Sequence, residues 1–246
     1  MSKKALTHLG ARNWPSLVLV FAIGVLFTVT TVLIFLAAKI SDPSVLPINK
    51  VVVSGNFEHL QKTELRSIVH NGLGGRGFFR VNVNEIQGLL MEQPWIEEAV
   101  VRRVWKDTLL INIKEQVAVA VWGGRAFLNK DGEIFRPEKS VKISGLVRFT
   151  GPEGLEQVML EHFGLIAKKL SATSIVIDEV ILTDRGSWTL ITSGGKELIF
   201  GKQFLSQRLE RFLRGYYMDL SARWASVRRI DLRYSNGLAI ATDRLL

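Results

Sequence analysis

Cysteine is absent from all 246 residues. That absence excludes a disulfide framework, a Cys-ligated zinc or iron–sulfur site and a thiol nucleophile. Histidine is scarce: His8, His59, His70 and His162 are the only four, and none is paired at metal-ligand spacing. No Gly-x-Ser-x-Gly elbow occurs, and Gly74-Gly75-Arg76-Gly77 lacks the Lys-Ser/Thr of a phosphate loop, so it reads as a turn. Glu97 and Glu98 are adjacent, so on a strand they face opposite sides and cannot act as a catalytic carboxylate pair. Internal repeats and low-complexity segments are missing as well. No residue is assigned a catalytic, cofactor-binding or metal-ligating role.

What is present is charge and apolar length. Lys and Arg number 32 against 23 Asp and Glu, a net charge of +9. Such an excess suits an anionic partner: nucleic acid, an anionic membrane surface or an acidic protein. From Ser16 to Ala38, 23 residues carry no charge, and 18 of them are Ala, Val, Ile, Leu or Phe. As a helix this run is about 35 Å long, enough for a hydrocarbon core of about 30 Å. It is longer than the roughly 7–15 apolar residues of a signal peptide. Phe35-Leu36-Ala37-Ala38-Lys39 is also a poor cleavage site, so the run is predicted to be an uncleaved anchor. Lys3, Lys4 and Arg12 precede it without an acid, which keeps the N-terminus cytoplasmic and sends the following 208 residues outside. The remaining excess of +6 then faces no DNA, and nucleic acid leaves the list of partners.

Residues 39–47 hold two prolines and read as an extended stalk. Val51–Val53 is a β-branched run. Leu65, Ile68 and Val69 stand at helical spacing, and Asn82 or Asn84 can cap a second helix carrying Ile86, Leu89 and Leu90, which Pro94 ends. Strands are predicted over Ala99–Trp105 and Leu109–Ile113. This β-α-α-β-β order is most economically buried as a three-stranded sheet with two helices on one face.

A second unit begins near Val117. Strands are predicted over Val119–Trp122, Ala126–Leu128, Glu133–Phe135, Ile175–Leu182, Trp188–Thr192 and Glu197–Phe200. One helix follows Gly151-Pro152-Glu153-Gly154, with Leu155, Val158, Phe163, Ile166 and Leu170 on its stripe. Another spans about Gln203–Leu220, with Leu205, Leu209 and Phe212 inside and Arg208, Arg211 and Arg214 outside. The chain closes with Ile230–Tyr234 and Leu238–Ala241 joined at Asn236-Gly237, a hairpin signal. If the last strand is a sheet edge, its unpaired backbone groups can template a partner strand. If it is central, its apolar residues only fill a core. Sequence alone weights the two equally.

Several stretches, in their order and spacing, carry a resemblance. They are Pro94-Trp95-Ile96 through Val101-Arg102-Arg103-Val104-Trp105, then Asp107-Thr108-Leu109, Gly151-Pro152-Glu153-Gly154, Arg208-Leu209-x-Arg211-Phe212, and Ile230 through Gly237. The chain resembles the FtsQ/DivIB family of bacterial cell-division proteins. The resemblance implies an α+β chain with a cytoplasmic tail (1–15), a transmembrane helix (16–38), a stalk (39–47), a POTRA domain (48–116) and a mixed β-domain with a mainly antiparallel sheet (117–246). It implies a non-enzymatic scaffold of the septum in the inner membrane, without cofactors. The implied partners are FtsB and FtsL, together with FtsK, FtsI, FtsW and FtsN.

By the same resemblance, FtsB adds a strand along Leu238, Ala239, Ile240, Ala241 and Thr242, beside Arg233, Tyr234, Ser235 and Gly237. Arg185 matches a basic residue that pairs with an acidic group of the partner. Val101 and Arg103 match a recruitment face on the POTRA domain; the plain reading of Arg103 is a solvated strand charge. Three departures stand out: Lys106 replaces the family's usual Pro, Val117 replaces a common Pro at the domain junction, and Thr242 stands where relatives often place an aromatic. Two other functions compete. One is a POTRA-bearing envelope assembly or transport component, which usually has several such units and a barrel. The other is an anchored hydrolase of cell-wall polymers, for which no catalytic constellation is present.

Overall fold

The computed structural model describes residues 14–40, 46–139 and 141–242. The basic tail with Lys3, Lys4 and Arg12, and most of the stalk, lie outside the described residues. Helix α1 (Trp14–Ile40) is apolar throughout and carries its one proline, Pro15, in the first turn, where a missing N–H costs nothing. Its segment Val18–Lys39 is long and apolar enough to cross a membrane. Thr28, Thr30 and Thr31 donate their hydroxyls to the carbonyls four residues back, at 2.7–2.8 Å. These polar atoms are thereby satisfied within the helix.

The chain gathers into two compact units. The first takes in the described residues up to Ser54, with 61–90 and 99–112; the second takes in 55–60, 91–98 and 113–242. In the first, strands β1 (Lys50–Ser54), β2 (Ile96–Val104) and β3 (Thr108–Glu115) form a sheet of order β1-β3-β2, with β1 parallel to β3. Helices α2 (Lys62–Leu73) and α3 (Val83–Met91) supply Leu65, Val69, Ile86 and Leu90 as buried side chains, and the strands supply Ala99, Val101, Leu109 and Ile111. The Asn82 carboxamide oxygen accepts the amides of Asn84 (3.2 Å) and Glu85 (3.4 Å), so Asn82 is the cap of α3. Gly72 is in α2. A side chain there would meet Ile86 and Leu89 of α3 at 3.1 Å, and the helix stops two residues later, where Gly74 turns left-handed (φ 53°).

The second unit is a nine-stranded sheet. Its strands are β4 (Ala120–Trp122), β5 (Ala126–Leu128), β6 (Ile134–Phe135), β7 (Val147–Thr150), β8 (Ile177–Leu182), β9 (Trp188–Thr192), β10 (Glu197–Gly201), β11 (Val227–Asp231) and β12 (Ala239–Thr242). The order is β12-β11-β10-β9-β8-β7-β4-β5-β6. Parallel pairs occur at β4–β7, β7–β8 and β10–β11, and the other five neighbours are antiparallel. Helix α4 (Glu156–Leu170) connects β7 to β8, and α5 (Leu205–Gly215) with a π-helical turn (Tyr216–Leu220) connects β10 to β11. Crossovers of this length are what parallel neighbours require.

Phe149, Met159, Ile166, Val180, Leu190, Leu198, Phe200, Leu209, Phe212 and Ile230 belong to one buried cluster drawn from the sheet and both helices. The α4 stripe differs from its expectation: Met159 is buried while Val158 is exposed, so the inward face is Met159, Ile166 and Leu170. A smaller cluster joins Trp95, Phe127 and Phe135. His59 stacks flat on Trp95 at 4.1 Å and contacts Glu115 through its Nδ1 at 3.1 Å.

Candidate functional site

The sheet order makes β12 an edge. Among the described residues one of its sides has no neighbouring strand, so that row of N–H and C=O groups is unpaired. Its other side pairs antiparallel with β11: Ile230 opposes Ile240, Asp231 opposes Ala239 and Arg229 opposes Ala241. Opposed residues share a face, so Ile240, and Leu238 two residues before it, turn toward the core, which both contact. Ala239 and Ala241 take the other face with Arg229, whose Nε donates to Glu197 on β10 at 2.6 Å. The edge therefore presents backbone flanked by small side chains.

The approach to this edge differs from the expected hairpin. β11 starts three residues earlier and ends at Asp231, leaving Arg233, Tyr234, Ser235 and Gly237 in a connection rather than on a strand. Leu232 is still fully buried, and its amide donates to Ile199 O at 2.8 Å, but Tyr234 points outward with 58% of its surface exposed. Ile230, Leu232 and Tyr234 thus do not share one face.

Arg233 is bound back on its own chain. Its Nε lies 2.9 and 3.0 Å from the two carboxylate oxygens of Asp231, and its Nη2 lies 2.6 Å from the second. The Arg233 guanidinium holds the Asp231 carboxyl below the usual carboxylate range, against a smaller opposing effect of burial. Arg185 occupies the tight turn between β8 and β9, exposed and without an ion pair among the described residues.

Two further residues build this region that the sequence reading had turned outward. Arg208 and Arg211 of α5 are half-buried. Arg211 donates to the carbonyls of Ser235 and of Leu232, the latter at 3.0 Å. Arg208 donates to the carbonyls of Phe200 and of Arg233, the latter at 3.0 Å. Periodicity could not reveal this, because the loop acceptors are 21 to 25 residues away in sequence. Gly201 makes room for the arrangement: a Cβ there would stand 2.9 Å from Arg233 Cγ and 3.0 Å from Arg208 Nη1.

On the other sheet, the two residues expected on a recruitment face diverge. Val101 is 8% exposed, because the strand's alternation sends it inward with Ala99; it offers no outward side chain. Val100 and Val104 are the exposed valines of that strand. Arg103 is not simply solvated. Its Nη1 donates to the carbonyls of Phe78 and Phe79, each at 3.2 Å, and its guanidinium lies 5.9 Å from the Phe78 ring centroid.

Residues 46–116 match the model of the FtsQ-type POTRA domain, and residues 120–233 match that of the C-terminal region of cell division protein FtsQ/DivIB. Cell division protein FtsQ of Coxiella burnetii is 33% identical over 199 residues, 81% of this chain and 82% of the relative. Those of Methylomonas methanica and Aliivibrio fischeri are 31% and 27% identical, over 79% and 81% of this chain and 78% of each relative. The two matched regions are the β-α-α-β-β unit and most of the large mixed sheet: this chain belongs to the FtsQ/DivIB family of bacterial cell-division proteins.

Proposed function

We propose that this protein is a non-enzymatic scaffold of the division septum that binds FtsB, and with it FtsL, outside the cytoplasm, linking early and late septal proteins to control septal peptidoglycan synthesis. The observation that carries the proposal is the free edge of β12 at the end of the nine-stranded sheet, with Tyr234 exposed beside it. A partner strand laid on this edge gains main-chain hydrogen bonds for affinity, while alternate side chains select the sequence. Tyr234 offers a large apolar body with a polar tip, and Arg185 a cation that has no ion pair among the described residues, free to meet an acidic group. With Thr242 in place of an aromatic, Tyr234 carries more of the apolar contact.

In this proposal α1 is the inner-membrane anchor, with the basic tail in the cytoplasm and both folded units in the periplasm. Contacts with FtsK, FtsI, FtsW and FtsN belong to the same septal role. Recruitment through the POTRA sheet would use the exposed Val100 and Val104, since Val101 is buried and Arg103 lies on the opposite face of the strand.

The test is binding of the full-length protein, in nanodiscs, to the extracytoplasmic segment of FtsB. The expected result is capture of the native segment and loss of capture when proline is placed in its predicted strand. Equal binding of both segments would rule out strand addition.

A further inference from the structure

We infer that Arg208 and Arg211 are positioning residues for partner binding, fixing the loop 232–238 and hence the point at which the edge strand begins. The inference rests on the strand-addition reading above. The loop lies between β11 and β12, and its backbone beyond Leu232 belongs to no strand ladder. Three of its carbonyls, those of Leu232, Arg233 and Ser235, accept instead from the two guanidinium groups of α5.

Neither arginine forms an ion pair among the described residues; their Nη groups serve the backbone, while the buried Nε of Arg211 has no partner among them. Hydrogen bonds from a charged donor are stronger than neutral ones, and a guanidinium offers several donors in a fixed fork. Arg211 spans the loop from Leu232 to Ser235, which brackets Tyr234. Its own helix is anchored in turn by Leu209 and Phe212, both buried. The tyrosine is thus exposed on a backbone that is already held. Leu238 completes the fixation from the far side, packing within 3.3 Å of the Cβ position of Gly215 at the end of α5.

A free loop would have to be ordered when the partner strand arrives, and that cost would be subtracted from affinity; a loop already held avoids it. Arg211→Gln is therefore expected to weaken binding of the FtsB segment about tenfold, through the fraction of protein with a competent loop. Its melting temperature should fall only slightly with the fold intact, and amide exchange at Ser235–Leu238 should be faster in the free protein. Arg211→Lys should fall between the two, since one ammonium lacks the fork that reaches both carbonyls. Arg214→Gln, exposed on the same helix, should bind as wild type.

Wild-type affinity in Arg211→Gln, or a loss no larger than its unfolded fraction explains, would overturn the inference. Should Arg211→Gln fail to fold, Arg208→Gln and Arg211→Lys take its place, and wild-type affinity in both overturns it. If the proline-bearing FtsB segment binds wild type normally, the strand-addition reading has failed and this inference falls with it. If that segment is rejected while the arginine variants bind normally, only the positioning role is lost.

Discussion

Asp231 and Arg233, two residues apart at the end of β11, form a two-oxygen ion pair with contacts of 2.6–3.0 Å. The carboxylate side is 15% exposed and the guanidinium side 60%. The pair turns Arg233 back toward the sheet, while the Tyr234 ring stays exposed.

Because Asp231 titrates lower in the folded chain than the unfolded value of about 3.9, its contribution to stability is complete above that pH. It is lost as pH falls through the lower folded value. Binding and melting should therefore be insensitive to this pair from pH 5 to 8. An NMR titration of the Asp231 carboxyl carbon should show a midpoint below about 3.9. In Arg233→Gln the midpoint should move up toward that value.

Tyr234→Ala should weaken binding of the FtsB segment by about 2 kcal/mol or more, roughly thirtyfold, as loss of an exposed aromatic anchor does. Calorimetric titration measures it. A normally folded variant that binds as wild type would remove Tyr234 from the interface.

Gly201→Ala should be costly for two reasons that add. Its φ of 72° is strained for any side chain, and the new Cβ would press on Arg233 and Arg208 at 2.9–3.0 Å. A loss of about 1–3 kcal/mol in urea unfolding is expected. Gly195→Ala, at a similar φ of 74° with open space around it, should lose less.

Arg103→Ala leaves the carbonyls of Phe78 and Phe79 without their donor. A loss of about 1 kcal/mol in stability is expected, read from urea unfolding of the first unit. No loss would mean that water replaces the guanidinium fully.

Topology can be read from one thiol, since the chain has none of its own. Met218 is 85% exposed in the turn after α5. Met218→Cys should react with a membrane-impermeant maleimide in intact spheroplasts. Reaction only after lysis would place the folded units in the cytoplasm.

The elements legible in the sequence were those with strong local signals. Helix α1 announced itself by the length of its apolar run, and the start of α3 by Asn82 and Asn84 ahead of an apolar stripe, with the choice between those two left to the fold. β7 went unseen because Val147-Arg148-Phe149-Thr150 is only four residues long and carries an arginine, although Ser144-Gly145 and Gly151-Pro152 frame it. Its strand character comes from β4 and β8 on either side. The closing hairpin was misread for a related reason. Asn236-Gly237 suggested a two-residue turn, yet the connection is held open by Arg208 and Arg211, and that contact has no local signature. Whether β12 is edge or centre depends on strand order, which no window of residues encodes. Val101 is a different case: Ala99-Val100-Val101-Arg102-Arg103-Val104 does not alternate, so sequence did not say which valine turns inward, and the fold buries the one that the resemblance set on a recruitment face.

The two ends of the large sheet are unequal. β6, at the far end from β12, is only two residues long, Ile134 and Phe135, and Phe135 is buried in the aromatic cluster around Trp95. It offers too little backbone to seed another strand, whereas β12 offers four residues. In the strand-addition reading, the backbone open to a partner therefore lies at one end of this sheet, and two copies of the chain have only β12 against β12 as a shared edge, a closed pairing that does not run on into a fibre.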